Sequence, residues 1–139
     1  MADIEMLAKK VDDAARGATA IAQLSASTKF SLDDAYHIQK KMIGLRLARG
    51  ERRVGMKMGF TSRAKMVQMG VHDLIWGRLT EGMIVEDGGS IGLKNYVHPR
   101  VEPEIAFKLK APLCGAETPL QALSAVEAVA PAMEIIDSR

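Results

Sequence analysis

The sequence predicts a mixed α/β fold (α+β), with helices first and strands after them. In residues 1–50 apolar side chains recur at every third or fourth position, which is typical of helices with one buried face. Beyond residue 53 the period changes to two, which is typical of strands. Hydrophobic residues make up 47% of the chain and charged residues 26%, a composition that indicates a folded globular protein.

The helical part contains two predicted helices. Apolar spacings of three and four predict the first helix over residues 1–24. Ser31 can cap a second helix, and Asp33 and Asp34 carry the charge that is favoured in its first turn. Gly50 is expected to end this helix.

Residues 54–60 predict a strand with one unusual face. Apolar side chains occupy one face, whereas the other carries Lys57 between two glycines. The glycines remove side chains where a ligand could approach the backbone, so a single ammonium group projects there. Ser62 can then cap a short helix that ends near Met69.

Shorter elements follow along the chain. Apolar pieces lie at residues 74–76 and 83–85, and a tight turn is predicted at 87–89. We expect a helix over residues 120–129 and a strand over 130–136.

A strand at residues 101–109 carries Glu102 and Glu104, separated by Pro103. Because side chains alternate along a strand, the two glutamates share one face. Proline lacks an amide donor, so this strand is expected at a sheet edge or at a bulge. Carboxylates in apolar surroundings are costly to bury unless something neutralises them.

Glu134 lies alone in the apolar strand at 130–136 and is the natural third ligand if the two strands are neighbours. Oxygen ligands without histidine or cysteine suit Mg²⁺ or Mn²⁺. The alternative is that Glu102 and Glu104 form a solvated face of an edge strand, which is the usual role of such a pair.

Charge and composition argue against several other classes of protein. The formal net charge is +2, and the basic residues do not form a run interleaved with aromatics, which argues against nucleic acid binding. Cys114 is the one cysteine, so an internal disulfide is excluded. The sequence shows neither a cleavable signal nor an apolar span of about 18 residues, so we expect a cytoplasmic protein without membrane association.

The length of 139 residues predicts a single domain. We assign residues 1–50 to a helical cap region and residues 51–139 to a β-rich part. The sequence stops three residues after an apolar strand, which predicts a truncated domain, with a natural terminus docked in a sheet as the alternative.

Four segments, taken together, resemble the fumarylacetoacetate hydrolase superfamily. Within it they are similar to the branch of 2-oxopent-4-enoate hydratases and 4-oxalocrotonate decarboxylases of aromatic meta-cleavage catabolism, with the second segment favouring the decarboxylase. The segments are residues 54–62 (VGMKMGFTS), 65–71 (KMVQMGV), 98–107 (HPRVEPEIAF) and 131–139 (PAMEIIDSR).

The resemblance implies a fold in which N-terminal helices pack on a bent, largely antiparallel sheet. Members of this branch are longer than this chain, which then corresponds to their N-terminal half, with residues 51–139 as the start of the catalytic β-fold. The resemblance also implies roles for seven residues. These are Glu102, Glu104 and Glu134 as magnesium ligands, Lys57 as the catalytic lysine facing the substrate, and Thr61, Ser62 and Arg139 as substrate-binding groups.

The activity that the resemblance implies is a metal-dependent lyase that decarboxylates 4-oxalocrotonate (2-oxo-3-hexenedioate) to 2-oxopent-4-enoate and CO2. The alternatives are a 2-oxopent-4-enoate-type hydratase and a non-catalytic subunit or fragment of such an enzyme. The expected partners are a small 2-oxo acid, the hydratase of the pathway and further copies of the chain.

Overall fold

The computed structural model describes residues 3–115 and 118–138. Helices and antiparallel strands alternate along the chain, so the predicted mixed α/β class is confirmed. No helix in these two ranges is long and apolar enough to cross a membrane. The elements are α1 (Ile4–Arg16), α2 (Leu32–Ala48), β1 (Arg53–Gly59), α3 (Arg63–Met69), β2 (Ile75–Thr80), β3 (Pro99–Leu109), α4 (Pro119–Ser124) and β4 (Val126–Asp137), with short 3₁₀ helices at Leu24–Ala26, Glu81–Met83 and Leu93–Asn95.

The chain forms two compact units. The first runs to Tyr96 and contains α1, α2, α3 and the two-stranded sheet β1–β2, whereas the second, Val97–Ser138, contains α4 and the two-stranded sheet β3–β4. The boundary falls inside the region assigned above to residues 51–139. The single domain, with its division into residues 1–50 and 51–139, stays a prediction.

In the first unit α1 packs against α2. Their contact is centred on the buried residues Leu7, Ala8 and Ile38, and half-buried apolar side chains surround it. The Ser31 cap predicted for α2 is present, and it is a reciprocal capping box, since Ser31 and Asp34 exchange side-chain-to-backbone hydrogen bonds. This reciprocal cap explains why the start of α2 could be located from sequence.

The first helix is shorter than predicted. It ends at Arg16, and the N–H of Gly17 donates to the carbonyl oxygen of Asp13. Ala18 has φ of +45°, a left-handed conformation that cannot continue the helix. The prediction of a helix as far as residue 24 is therefore wrong, and residues 1 and 2 lie outside the described part of the chain.

An ion pair between a buried carboxylate and a partly exposed guanidinium joins α1 to the end of α2. Asp12 is 2% exposed, and its two oxygens accept bonds of 2.6 and 2.7 Å from the Arg49 guanidinium. The hydrogen bonds that Arg49 donates to Asp12 raise the pKa of Arg49. This bidentate contact fixes the two helices in direction as well as in distance.

A second polar contact closes the β1–β2 sheet at the end of β2. Thr80 is fully buried, and its hydroxyl donates to Glu51 Oε2 at 2.6 Å. This hydrogen bond, together with the nearby Arg46 guanidinium, holds the pKa of Glu51 below its usual range.

In the second unit β3 and β4 pair antiparallel over nearly their whole length. Residues 126–129 belong to β4, where Val126 lies opposite Leu109, so the predicted helix over 120–129 is wrong beyond Ser124. Both strands belong to a two-stranded sheet, which agrees with the edge position that Pro103 predicted.

One face of the β3–β4 sheet is apolar and open. In the regular part of the register it carries eight apolar side chains, of which Ile105 is 65% and Met133 78% exposed. We call it the apolar face, and its residues are Val101, Pro103, Ile105, Phe107, Val129, Pro131, Met133 and Ile135.

Candidate metal centre

The opposite face of the β3–β4 sheet brings three glutamates together. Glu102 of β3 lies directly across from Glu134 of β4, and Glu104 follows two residues after Glu102 on the same face. Each residue offers one carboxylate oxygen, and these three oxygens lie within 4.8 Å of one another. The strand register therefore assembles the three side chains that the sequence marked as candidate ligands.

Burial does not explain this cluster. Glu102 and Glu104 are exposed and Glu134 is half-buried, so the cost of burying carboxylates expected from sequence does not arise for two of them. Like charges directly opposite each other on a sheet repel. A bound cation would reduce that repulsion.

Small side chains surround the glutamates on this face. Ala132 lies opposite Glu104, and the next pair on the same face is Ala106 with Ala130. Because methyl groups project little from a sheet, the space beside the carboxylates is left open. A ligand of the cation could occupy it.

The chemistry of the cluster fits a hard divalent cation. Three carboxylate oxygens supply the ligand type that Mg²⁺ and Mn²⁺ prefer. Mg²⁺ is six-coordinate and usually keeps several water molecules, so three protein ligands would leave positions for a substrate. The metal role of the three glutamates stays a prediction.

Lys57 lies in the middle of β1, in the first unit. Its side chain is half-buried, and its cross-strand partner on β2 is Gly77. The flanking Gly55 has open space around its Cα, whereas a Cβ on Gly59 would lie 2.8 Å from Ile75 Cγ1. One flanking glycine is therefore required by packing, and the other leaves the backbone accessible.

The remaining predicted site residues lie elsewhere. Thr61 is exposed, and Ser62 caps α3 by accepting a bond of 3.5 Å from the backbone N–H of Lys65. The Ser62 hydroxyl thus has a structural role in addition to the predicted one. Arg139 lies outside the described residues, and all three substrate-binding assignments stay predictions.

Sequence reasoning missed a polar network beside Lys57. The side-chain amide of Gln39 donates to the carbonyl oxygen of Trp76 at 3.0 Å and accepts a bond of 3.0 Å from Arg78. The Trp76 ring stacks on Tyr36 with centroids 4.4 Å apart, and the Arg78 guanidinium lies 4.6 Å from the centroid of the indole. Spacing along the chain gives no signal for these contacts, because they join α2 to a strand more than thirty residues later.

No family model matches the chain. Comparison with individual proteins gives relatives named as decarboxylases and hydratases. A 4-oxalocrotonate decarboxylase from Pseudomonas sp. is 59% identical over 136 residues, which is 98% of this chain and 53% of the relative. A 2-hydroxyhexa-2,4-dienoate hydratase from Comamonas testosteroni is 41% identical over 140 residues, again 98% of this chain and 53% of the relative.

A solved structure shares the fold. The 4-oxalocrotonate decarboxylase from Pseudomonas putida G7, complexed with magnesium and adipate, matches with a TM-score of 0.91 and 36% identity over 97% of this chain and 52% of the other. A second structure of that enzyme contains calcium and acetate. The chain spans about half the length of the relatives it matches.

Proposed function

The chain belongs to the family of 4-oxalocrotonate decarboxylases and related dienoate hydratases, and from this premise we propose that it is part of a divalent-cation-dependent lyase that decarboxylates 4-oxalocrotonate. The product would be 2-oxopent-4-enoate, and the pathway would be meta-cleavage catabolism of aromatic compounds. The greater identity to a decarboxylase than to a hydratase supports decarboxylation, at 59% against 41%.

The observation that carries the proposal is the cluster of Glu102, Glu104 and Glu134, whose oxygens lie within 4.8 Å of one another. In the proposal these three residues hold Mg²⁺, with Mn²⁺ as the alternative. When bound, the cation would act as a Lewis acid that stabilises negative charge on the oxygen of a 2-oxo acid. The open space beside the alanines would admit the substrate.

Besides the three glutamates, the proposal gives the Lys57 ammonium group a role in the reaction. In decarboxylation the bond to the departing carboxylate breaks, its electron pair moves through the conjugated double bond to the 2-oxo oxygen, and CO2 leaves. The resulting dienolate takes up a proton to give the product. The proposed role of the Lys57 ammonium is to orient this system or to donate that proton. Thr61, Ser62 and Arg139 are the proposed contacts for substrate carboxylates.

Hydration is the second candidate function. The hydratase relative covers the same 98% of this chain, and the same three glutamates would serve either reaction. A non-catalytic subunit or fragment is the third candidate, supported by the length of the relatives. In all three cases we propose a cytoplasmic protein that assembles with further copies of itself, and complex formation with the hydratase of the pathway.

The test is to supply 4-oxalocrotonate and Mg²⁺ to the purified chain and to follow CO2 release. Wild type should release CO2 in a magnesium-dependent manner, and Glu104→Gln should reduce the rate at least about 10-fold, since it removes a ligand. The matched control is Glu127→Gln, because Glu127 also lies on β4 but pairs with Lys108 at 2.9 Å outside the cluster.

Three outcomes separate the candidates. Turnover that is equal in wild type and Glu104→Gln would remove the metal role. Consumption of 2-oxopent-4-enoate without CO2 release from 4-oxalocrotonate would favour the hydratase. Magnesium binding without either reaction would favour the non-catalytic subunit.

A further inference from the structure

We infer that Gln39 is a positioning residue for Lys57, acting through the strand segment around Gly77. The inference rests on the proposed role of Lys57. It is carried by contacts within the first unit, between α2, β1 and β2.

The first step is the space above Gly77. Lys57 and Gly77 are cross-strand partners, and a Cβ added to Gly77 would lie 3.1 Å from Lys57 Cγ and 3.5 Å from Lys57 Cδ. Side chains of cross-strand partners stand on the same face of a sheet. The absence of a Cβ at Gly77 therefore leaves the space in which the methylene groups of Lys57 lie. Any side chain at residue 77 would displace that of Lys57.

The second step is the boundary of this space. The same Cβ position on Gly77 lies 4.0 Å from Gln39 Nε2, so the side-chain amide of Gln39 lies next to the space that the Lys57 side chain occupies. Gln39 is half-buried on α2, and α2 packs against β2. The helix therefore places one polar side chain beside the methylenes of Lys57.

The third step is the orientation of the amide. Gln39 Nε2 donates to the Trp76 carbonyl oxygen at 3.0 Å, and Gln39 Oε1 accepts from Arg78 Nη1 at 3.0 Å. Because one end donates and the other accepts, the amide cannot rotate by half a turn without losing both bonds. Its two partners belong to the residues before and after Gly77, so Gln39 holds the backbone carbonyl of Trp76 and the side chain of Arg78.

The fourth step is the support of those partners. The backbone N–H of Trp76 is 3.4 Å from the Tyr36 hydroxyl, and the Trp76 ring both stacks on Tyr36 and contacts the Arg78 guanidinium. Tyr36 and Gln39 of α2 thus satisfy the N–H and the C=O of Trp76. The position of Gly77, and with it the path of Lys57, is fixed from the helix.

The experiment uses the full chain and reads Lys57 directly. Reductive methylation with ¹³C-formaldehyde labels the lysines for NMR spectroscopy. Lys57→Arg identifies the ¹³C-methyl signal of Lys57 by its loss, and the quantity compared between variants is the chemical shift of that signal. Gln39→Met keeps the length of the side chain and removes both hydrogen bonds, whereas Gly77→Ala places a methyl group in the path of the lysine. Both variants should move the Lys57 signal and leave that of Lys65, on α3, in place.

Matched controls are Gln68→Met, at an exposed position of α3, and Gly44→Ala, where an added Cβ meets nothing within 4 Å. Neither should move the Lys57 signal. In the turnover assay we expect Gln39→Met to lower kcat about 10- to 100-fold, because small misplacements of a reacting group are costly, with magnesium binding unchanged.

A Lys57 signal that stays in place in folded Gln39→Met overturns the inference. If Gln39→Met does not fold, Gln39→Glu decides in its place, because it can still accept the bond from Arg78 but loses the bond to the Trp76 carbonyl oxygen, and an unmoved Lys57 signal in it overturns the inference. The signal of Lys57 is read without turnover, so a chain without activity would remove the proposed function and still leave the positioning role open to this test.

Discussion

Glu102 on β3 and Glu134 on β4 are direct cross-strand partners, two carboxylates facing each other in an antiparallel sheet. With Glu104 beside them, three oxygens gather within 4.8 Å. Three carboxylate oxygens so placed are ligands of the type that a hard divalent cation prefers. The first prediction follows from this arrangement.

Replacing Glu134 by glutamine should reduce the stabilisation that Mg²⁺ gives. With Mg²⁺ at 100 times its dissociation constant, the free energy of unfolding of wild type should rise by about 2.7 kcal/mol, and that of Glu134→Gln much less, because one ligand is lost. Thermal unfolding with and without Mg²⁺ measures both gains.

Glu127→Gln is the control for that experiment. It removes the same charge from the same strand and should leave the gain from Mg²⁺ as large as in wild type. An equal gain in wild type and Glu134→Gln would show that Glu134 is not a ligand.

The ion pair between buried Asp12 and partly exposed Arg49 predicts a second result. Asp12→Ala should lower the free energy of unfolding by about 1–3 kcal/mol, since it removes two short hydrogen bonds to Arg49. Asp13→Ala, one residue along, removes a surface pair with Lys9 and should have a much smaller effect. Urea denaturation of both variants at neutral pH compares them. Equal losses would mean that the Asp12 contact adds nothing to stability.

The low pKa of Glu51 predicts how stability depends on pH. A carboxyl with a lowered pKa in the folded state stabilises fully above its ordinary value of 4.5, and this contribution is lost as the pH falls through the lowered value. Thr80→Val removes the hydroxyl that contributes most to the lowering, so it should cost about 1–2 kcal/mol at neutral pH. The difference from wild type should narrow under acid conditions.

Urea denaturation across the acid range checks this dependence. Thr19→Val is the control, because the exposed Thr19 hydroxyl donates to the Gly17 carbonyl and touches no carboxylate in the described hydrogen bonds. A difference between Thr80→Val and wild type that is constant with pH would contradict the assignment.

The glycines beside Lys57 should respond differently to alanine. Gly59→Ala should destabilise by about 1–3 kcal/mol, because its Cβ would meet Ile75 Cγ1 at 2.8 Å. Gly55→Ala meets nothing within 4 Å and should be close to neutral. In the background of Ile75→Ala the cost of Gly59→Ala should fall, and a double-mutant cycle measures this coupling. No coupling would show that the clash is relieved in another way.

Local signals predicted much of the fold. The caps at Ser31 and Ser62 are formed by neighbouring residues, so the starts of α2 and α3 could be read from sequence. The stretch 120–129 was misread because alanine and leucine favour a helix, whereas its last residues pair with β3. That pairing is a long-range contact with no local signature.

The candidate site likewise combines residues that a local pattern places with residues that only long-range pairing places. The alternation of side chains along a strand was enough to predict, from sequence alone, that Glu102 and Glu104 share one face. The position of Glu134 depends on the register of two strands, and the role of Gly77 depends on its partner across a sheet, so neither could be derived from spacing. The hydrogen bonds of Gln39 join a helix to a strand that is distant in the sequence, so the spacing of residues along the chain could not predict them.

All three candidate ligands belong to a single antiparallel ribbon within residues 97–138. Under the proposed function, the groups that hold the cation and the group proposed to act on the substrate, Lys57, lie in different compact units. Substitutions in the first unit would then change the reaction without changing the ligand set.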